Sequence, residues 1–284
     1  MIKLIAFVDR SIYARSVCDH AAWIAGTVDG SVDLIHVLGR RDESEAPVDL
    51  SGSIGLGART ALLEELAELD GQVAKLKHKH ARAILEDAKE IIQKAGIKHV
   101  STLLRNDGIV ETVQAFEKDA GLIVIGKRGQ NTESDESHLG SNFERVVRAS
   151  HRPILVASRD FNPIKRVLIA FDGGVSAMKA ISYFAKNPVF NSLECRLLNV
   201  TDPSDRAKRQ LDSAAKLLRD AGYAVETTMQ AGQAEAVICE KIKTDNIDLL
   251  LMGAYGHSRI RNLIIGSTTT AMIRSCKIPV LLFR

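Results

Sequence analysis

The part of this 284-residue sequence where residue type and spacing point to chemistry runs from Gly253 to Thr268. It reads Gly253-x2-Gly256-x9-Gly266-Ser267-Thr268. Glycines let a backbone turn with positive φ and approach a ligand closely. A helix opening at Gly266-Ser267 would aim its unpaired N–H groups and the positive end of its dipole at an anion. The hydroxyls of Ser267 and Thr268 add further donors. Together these features suit a phosphate chain. Turn glycines before an ordinary Ser/Thr helix cap would leave the same letters. Against that plainer reading stands a near-copy upstream, Gly126-Lys-Arg-Gly129, ten residues, then Gly140-Ser141.

The two copies differ in charge. The ten residues Gln130 to Leu139 include Glu133, Asp135 and Glu136 and no Lys or Arg, whereas the nine from His257 to Ile265 include Arg259 and Arg261 and no acid. Carboxylates repel a polyphosphate and guanidiniums attract it, so the second copy is expected to hold the anion and the first to be degenerate. Lys127 and Arg128 count on the other side. Residues 161–284 carry 17 basic and 11 acidic side chains, against 21 and 24 in residues 1–160. His257 either touches a phosphate or ribose oxygen or is a solvent-facing loop residue, and Arg259 and Arg261 are either ligands or surface charges.

The elements that must position these residues also come in two copies. Ile2-Lys-Leu-Ile-Ala-Phe-Val-Asp9 is repeated by Ile164-Lys-Arg-Val-Leu-Ile-Ala-Phe-Asp172, and Val32–Val37 by Cys195–Val200, both at an offset of 163. The offset drops to 127 at Gly126 and Gly253, which places 36 extra residues after the second strand of the first copy. Short apolar runs alternating with helical periodicity predict parallel sheets covered on both faces. Strands are expected near 3–8, 32–38, 98–105, 121–126 and 153–158, then near 166–171, 194–200, 224–229, 247–252 and 279–283. Asn162-Pro163 breaks the chain. The expected fold is therefore α/β, with two tandem doubly wound domains, 1–160 and 161–284, each a five-stranded parallel sheet with helices on both faces. Ligands bind such sheets beyond the carboxyl ends of strands one and four, which is where the glycine motifs lie.

With these residues in place, the chain resembles a tandem universal stress protein over nearly all its length. Gly-x2-Gly-x9-Gly-(Ser/Thr) after strand four is that family's ATP-binding signature. The resemblance implies that Asp172, with Ala170 and Phe171 before it, and Val200 surround adenine and ribose, while Gly253, Gly256, His257, Arg259, Gly266, Ser267 and Thr268 serve the phosphates, with Mg²⁺. It implies a degenerate counterpart at Asp9, Val37, Gly126, Gly129, Gly140 and Ser141. It also implies pairing of the two units through their last strands, within the chain or in a homodimer of tandems. The spacing by itself supports only a phosphate-like anion.

Composition narrows the classes of function. Hydrophobic residues at 45% and charged residues at 26% fit a folded chain rather than a disordered one. The longest apolar runs fall far short of the roughly 20 residues of a membrane span, and the N-terminus does not read as a signal peptide, so a cytoplasmic location is expected. A net charge of +3 and 5% aromatic residues give nucleic acid little to bind. Cys18, Cys195, Cys239 and Cys276 form no metal or redox spacing and read as reduced thiols. His78 and His80 sit among lysines, which disfavours a metal.

No Gly-x4-Gly-Lys-(Ser/Thr) loop or Gly-x-Ser-x-Gly nucleophile is present, and Gly52–Gly57 reads as a plain loop. Asp9 and Asp172 are either ligands or helix caps. In the insertion, Leu62, Leu66, Leu69, Val73 and Leu76 step by four and three, with Ile84, Ala88, Ile91 and Ala95 continuing one face and Gly71 as a bend or division. That element is either a longer covering helix or a protruding arm for dimerisation or a protein partner. The leading functional expectation is an ATP-binding stress-response regulator. A slow ATPase or nucleotide-dependent enzyme and a nucleotide-independent scaffold are the alternatives.

Overall fold

A computed structural model describes residues 2–39, 56–129, 139–254 and 266–284. The first unit runs β1 (Lys3–Phe7), α1 (Ala14–Val28), β2 (Ser31–Val37), α2 (Leu56–Lys94), β3 (Val100–Arg105), α3 (Ile109–Phe116), β4 (Leu122–Gly126), α4 (Ser141–Ala149) and β5 (Ile154–Ala157). The second repeats it as β6 (Arg166–Ala170), α5 (Val175–Lys186), β7 (Glu194–Val200), α6 (Asp205–Asp220), β8 (Val225–Gln230), α7 (Ala234–Thr244), β9 (Leu249–Gly253), α8 (Ser267–Ser275) and β10 (Val280–Phe283). The inner strands are largely apolar and buried, as a sheet covered on both faces requires, whereas no residue of β3 or β8 is fully buried; β1 and β4 contribute Leu4, Ile5, Ala6, Ile123 and Val124 with no exposed surface.

Strand order is β3-β2-β1-β4-β5-β10-β9-β6-β7-β8. Each half is parallel and doubly wound, with its switch point between β1 and β4 or between β6 and β9. The halves are not separate sheets. β5 pairs antiparallel with β10, Leu155 opposite Leu281 and Val156 opposite Val280, so ten strands form one surface. One core layer, under α1, α2, α5 and α6, holds Ile24, Ile92, Phe184 and Leu218. The other, under α3, α4, α7 and α8, holds Val113, Phe143, Ile238 and Ile273. Each layer runs through both units.

The helix that the insertion extends, α2, both covers the sheet and projects beyond it. The C-terminal half of α2 covers the sheet with Ala81, Leu85, Ala88 and Ile92 buried. Its N-terminal half protrudes, with every residue from Leu63 to Lys77 exposed. Gly71 does not divide the element. Its roughly 1 kcal/mol helix penalty is spread among good helix formers with no proline, and the helix runs through unbroken. Residues 40–55, including Gly52 and Gly55, lie outside the described residues.

The four cysteines are free thiols, and burial pushes Cys18, Cys195 and Cys276 up to about 12. His78 and His80 belong to no cluster that could hold a metal among the described residues. No helix of the described residues is long and apolar enough to cross a membrane.

One buried histidine ties the first unit to the inter-unit connection. His20 on α1 lies edge-on to Phe161, ring centroids 4.9 Å apart, with Nδ1 2.7 Å from the Ser16 carbonyl. Burial lowers its pKa to about 4. Between pH 6.5 and 4 only the unfolded chain takes up this proton, so stability falls as pH falls and the effect levels off below about 4. The loss is about 3 kcal/mol. Urea unfolding of the wild type and His20→Gln at pH 7 and 4.5 checks it: the variant's pH dependence should be shallower by about 2 kcal/mol, the part of the loss that falls in that interval. Leu281→Ala, at the strand seam, should cost about 2–5 kcal/mol in the same assay.

Candidate functional site

Both switch points are built alike. β6 ends at Ala170, and Phe171-Asp172-Gly173-Gly174 carries the chain to α5. Asp172 Oδ1 accepts the Gly174 N–H at 2.8 Å, and Gly173 has φ +78°, where a side chain would be strained. In the first unit Asp9 Oδ1 accepts the Ser11 N–H at 2.9 Å. Neither aspartate is the N-cap of the following helix; Gly174 and Tyr13 hold those positions. The aspartates instead brace the turn at the strand end.

After β9, Gly253 lies so close to α5 that an added Cβ would stand 3.0 Å from the Ser176 Cβ. The chain returns at Gly266, whose N–H donates to the Ala254 carbonyl at 3.2 Å. Gly266 caps α8, and the first intrahelical bond is from Thr270 N–H to Gly266 O. The amides of Ser267, Thr268 and Thr269 therefore precede the helix ladder and face the strand ends. No acid stands in the first turn of α8, so nothing there offsets its positive end. Thr269 Oγ1 lies 3.2 Å from both the Gly253 and the Ala254 carbonyl, pinning the helix start to the end of β9.

These elements enclose a cavity of about 330 Å³ lined by Ala170, Phe171, Asp172, Val200, Gly253, Gly266, Ser267 and Thr268, and also by Leu198, Ala234, Ile238, Met252 and Thr269. Eight of the expected second-unit residues thus share one wall system. Gly256, His257 and Arg259, with Arg261, lie outside the described residues. The floor is apolar, from Leu198, Val200, Ile238 and Met252. The polar part of the lining comes from Asp172 and the start of α8.

The first unit repeats this frame but not the space. Asp9, Val37, Gly126 and Gly129 line a cavity of only about 60 Å³. An added Cβ on Gly129 would stand 3.0 Å from Asp9 Oδ2, so the loop crosses directly over the aspartate. Gly140 caps α4, which begins at Ser141, and a Cβ on Gly140 would come 3.1 Å from the Arg128 Cα. Bulk fills the rest. Phe7 stands where the second unit has Ala170, Ile109 opens α3 as Ala234 opens α7, and buried Phe143 takes the place of Thr269. Sequence reasoning weighed loop charges and missed these three exchanges. The duplication itself, aligned position by position, held the signal. The loop acids Glu133, Asp135 and Glu136 lie outside the described residues.

Lys127 does not face this cavity. It is buried, and its Nζ donates to the carbonyl of Cys276 at the C-terminal end of α8. Burial lowers its pKa to about 8. A cation that the sequence credits to the first unit's anion loop thus serves the second unit's helix. Arg128 does line the small cavity.

A ten-stranded sheet with two such switch points is the setting for the comparisons with known proteins. The universal stress protein family model matches residues 1–158 and 205–284, and the chain belongs to that family. Universal stress protein Slr1230 of Synechocystis sp. is 37% identical over 287 residues and is covered, like this chain, over its full length. The crystal structure of a universal stress protein from Archaeoglobus fulgidus shares the fold with a TM-score of 0.75 at 20% identity, covering 99% of this chain and 98% of that one. A solved universal stress protein in complex with cAMP is similar over 43% of this chain and 98% of its own, at 21% identity and a TM-score of 0.38.

Thr269→Val keeps the side-chain volume but removes the hydroxyl that ties α8 to β9. It should lower unfolding stability by about 1–2 kcal/mol, measured by urea denaturation.

Proposed function

We propose that this chain is a nucleotide-responsive regulatory protein of the universal stress family, and that it binds one ATP, with Mg²⁺, in the cavity of its second unit. The observation that carries this reading is the coincidence of an open cavity of about 330 Å³ with the N-terminus of α8, which no side chain caps, and the Gly-x2-Gly-x9-Gly-Ser spacing. That volume falls within the usual range of small-molecule sites, roughly 300–1,000 Å³.

The lining divides by chemistry in the way a nucleotide does. The apolar floor of Leu198, Val200, Ile238 and Met252 suits a flat base, and Ala170 and Ala234 are small enough to leave room for it. The Asp172 carboxylate suits a sugar hydroxyl. The amides and hydroxyls of Ser267 and Thr268 suit phosphate oxygens, where a helix terminus adds about 0.3–1 kcal/mol per charge. Mg²⁺ carried on a triphosphate takes most of its ligands from phosphate and water, so a site with one carboxylate fits it. Gly256, His257 and Arg259 belong to the same proposed site on their spacing.

The first unit, residues 1–160, has its equivalent space filled and acts in this reading as a scaffold joined to the binding unit, residues 161–284. Occupancy of the second site then biases conformation or partner choice. Turnover is not required, and at most slow hydrolysis accompanies binding.

Isothermal titration of the full-length chain should give one ATP per chain. Ala170→Phe/Ala234→Ile installs the first unit's side chains in the second cavity and should weaken ATP at least about a hundredfold, with the apo melting temperature showing that the variant folds. No binding by the wild type, or equal binding by the variant, would refute the assignment.

A further inference from the structure

The exposed half of α2 is a feature that the proposed nucleotide site leaves unused. From Leu63 to Lys77 every residue is exposed, yet the segment carries a continuous apolar seam. Leu62, Leu66, Leu69, Val73 and Leu76 repeat at steps of four, three, four and three, the a/d pattern of a coiled coil. Leu66 is 45% exposed, Leu69 51%, Val73 47% and Leu76 65%. A solvated helical segment of about 15 residues with a central glycine is marginal in water, because most helix stability in proteins comes from a packed apolar face. The seam therefore calls for a cover.

The charges say what covers it. Residues 62–71 contain Glu64, Glu65, Glu68 and Asp70 and no Lys or Arg; residues 72–82 contain Lys75, Lys77, Lys79 and Arg82 and no acid. An arm that is acidic along one half and basic along the other is complementary to itself turned end for end. A parallel pair would set acid on acid and base on base.

We propose that two copies of this chain associate through these arms, packed antiparallel about a two-fold axis at Gly71. Heptad geometry then sets the register. Leu66 lies against the partner's Leu76, Leu69 against the partner's Val73, and Glu65 beside the partner's Lys79, each contact occurring twice by symmetry. The two Asp70 carboxylates approach at the crossing, a cost set against the paired Glu65 and Lys79. Gly71 falls on the outer side of the seam, where an added Cβ would meet nothing within 4 Å of its own chain.

The test is sedimentation of the full-length protein over a concentration series, with circular dichroism to show that each variant keeps its helix. The wild type should be a dimer. Leu66→Lys/Leu69→Lys should weaken it at least about a hundredfold. Glu65→Lys alone and Lys79→Glu alone should each weaken it about three- to tenfold, while the double exchange Glu65→Lys/Lys79→Glu should restore it. That rescue is specific to the antiparallel register, because a parallel pair never brings positions 65 and 79 together. A monomeric wild type, a dimer untouched by the leucine changes, or an exchange without rescue would each overturn the proposal. So would a different protein copurifying on the arm and released by the leucine changes.

Discussion

Three residues of β5 laid antiparallel on three of β10 decide how the rest of this molecule is arranged. Without that pairing each unit would end in an open edge presenting unmet N–H and C=O groups, which invite uncontrolled association. With it, the last strand of each copy becomes central, and only β3 and β8 remain as edges. The pairing also brings side chains of one unit onto backbone of the other. Tyr183 reaches the Gly121 carbonyl at 3.4 Å and stacks obliquely on Phe283. Arg284 Nη1 donates to the Arg148 carbonyl at 2.6 Å, and Lys127 to that of Cys276. These last two contacts are the same solution reached in opposite directions. Each places a cation from one unit at the C-terminal end of the glycine-motif helix of the other, where the last carbonyls lack helix partners.

The duplication shows what an open cavity costs a fold. In the first unit Phe7, Ile109 and Phe143 fill the switch point and join the core, where each buried apolar side chain contributes about 1.5–3 kcal/mol. The second unit has Ala170, Ala234 and Thr269 there and forgoes that packing. Proteins commonly give up stability at the places where they act. Gly140 and Gly266 cap their helices in the same way and both aspartates brace their turns. The bulk of Phe7, Ile109 and Phe143, with the Gly129 loop lying over Asp9, goes with a cavity of about 60 Å³ against one of about 330 Å³.

Most of the fold was legible because its signals are local or repeated. Buried parallel strands are short apolar runs, and each of the ten ends within two residues of where the runs end. The parts of the site drawn from strand ends and helix starts were equally readable, since glycine spacing encodes close approach. What the sequence hid depends on direction rather than type. Phe7 and Phe143 look like any core phenylalanine until the topology aims them at the switch point. Lys127 sits inside an anion-like motif, yet its side chain turns to a carbonyl 149 positions away, because that buried helix end supplies an acceptor and the filled cavity offers no room. Gly71 misled in the other direction: helix propensity is a weak prior, and the surrounding run of good helix formers overrode it.

The same lysine links the first unit to the helix that borders the second unit's cavity. The N-terminus of α8 opens the second unit's cavity, while its C-terminus is held by Lys127, which extends from the strand end of the first unit's filled switch point. With a pKa near 8, the amine is protonated in about nine molecules of ten at pH 7. An anion at one end of α8 and this cation at the other both align with the helix dipole, so each favours the same placement of the helix. The filled unit is therefore more than a spent copy. It fixes the far end of the element that the open unit would use to hold a phosphate, and the β5–β10 pairing keeps the two in register.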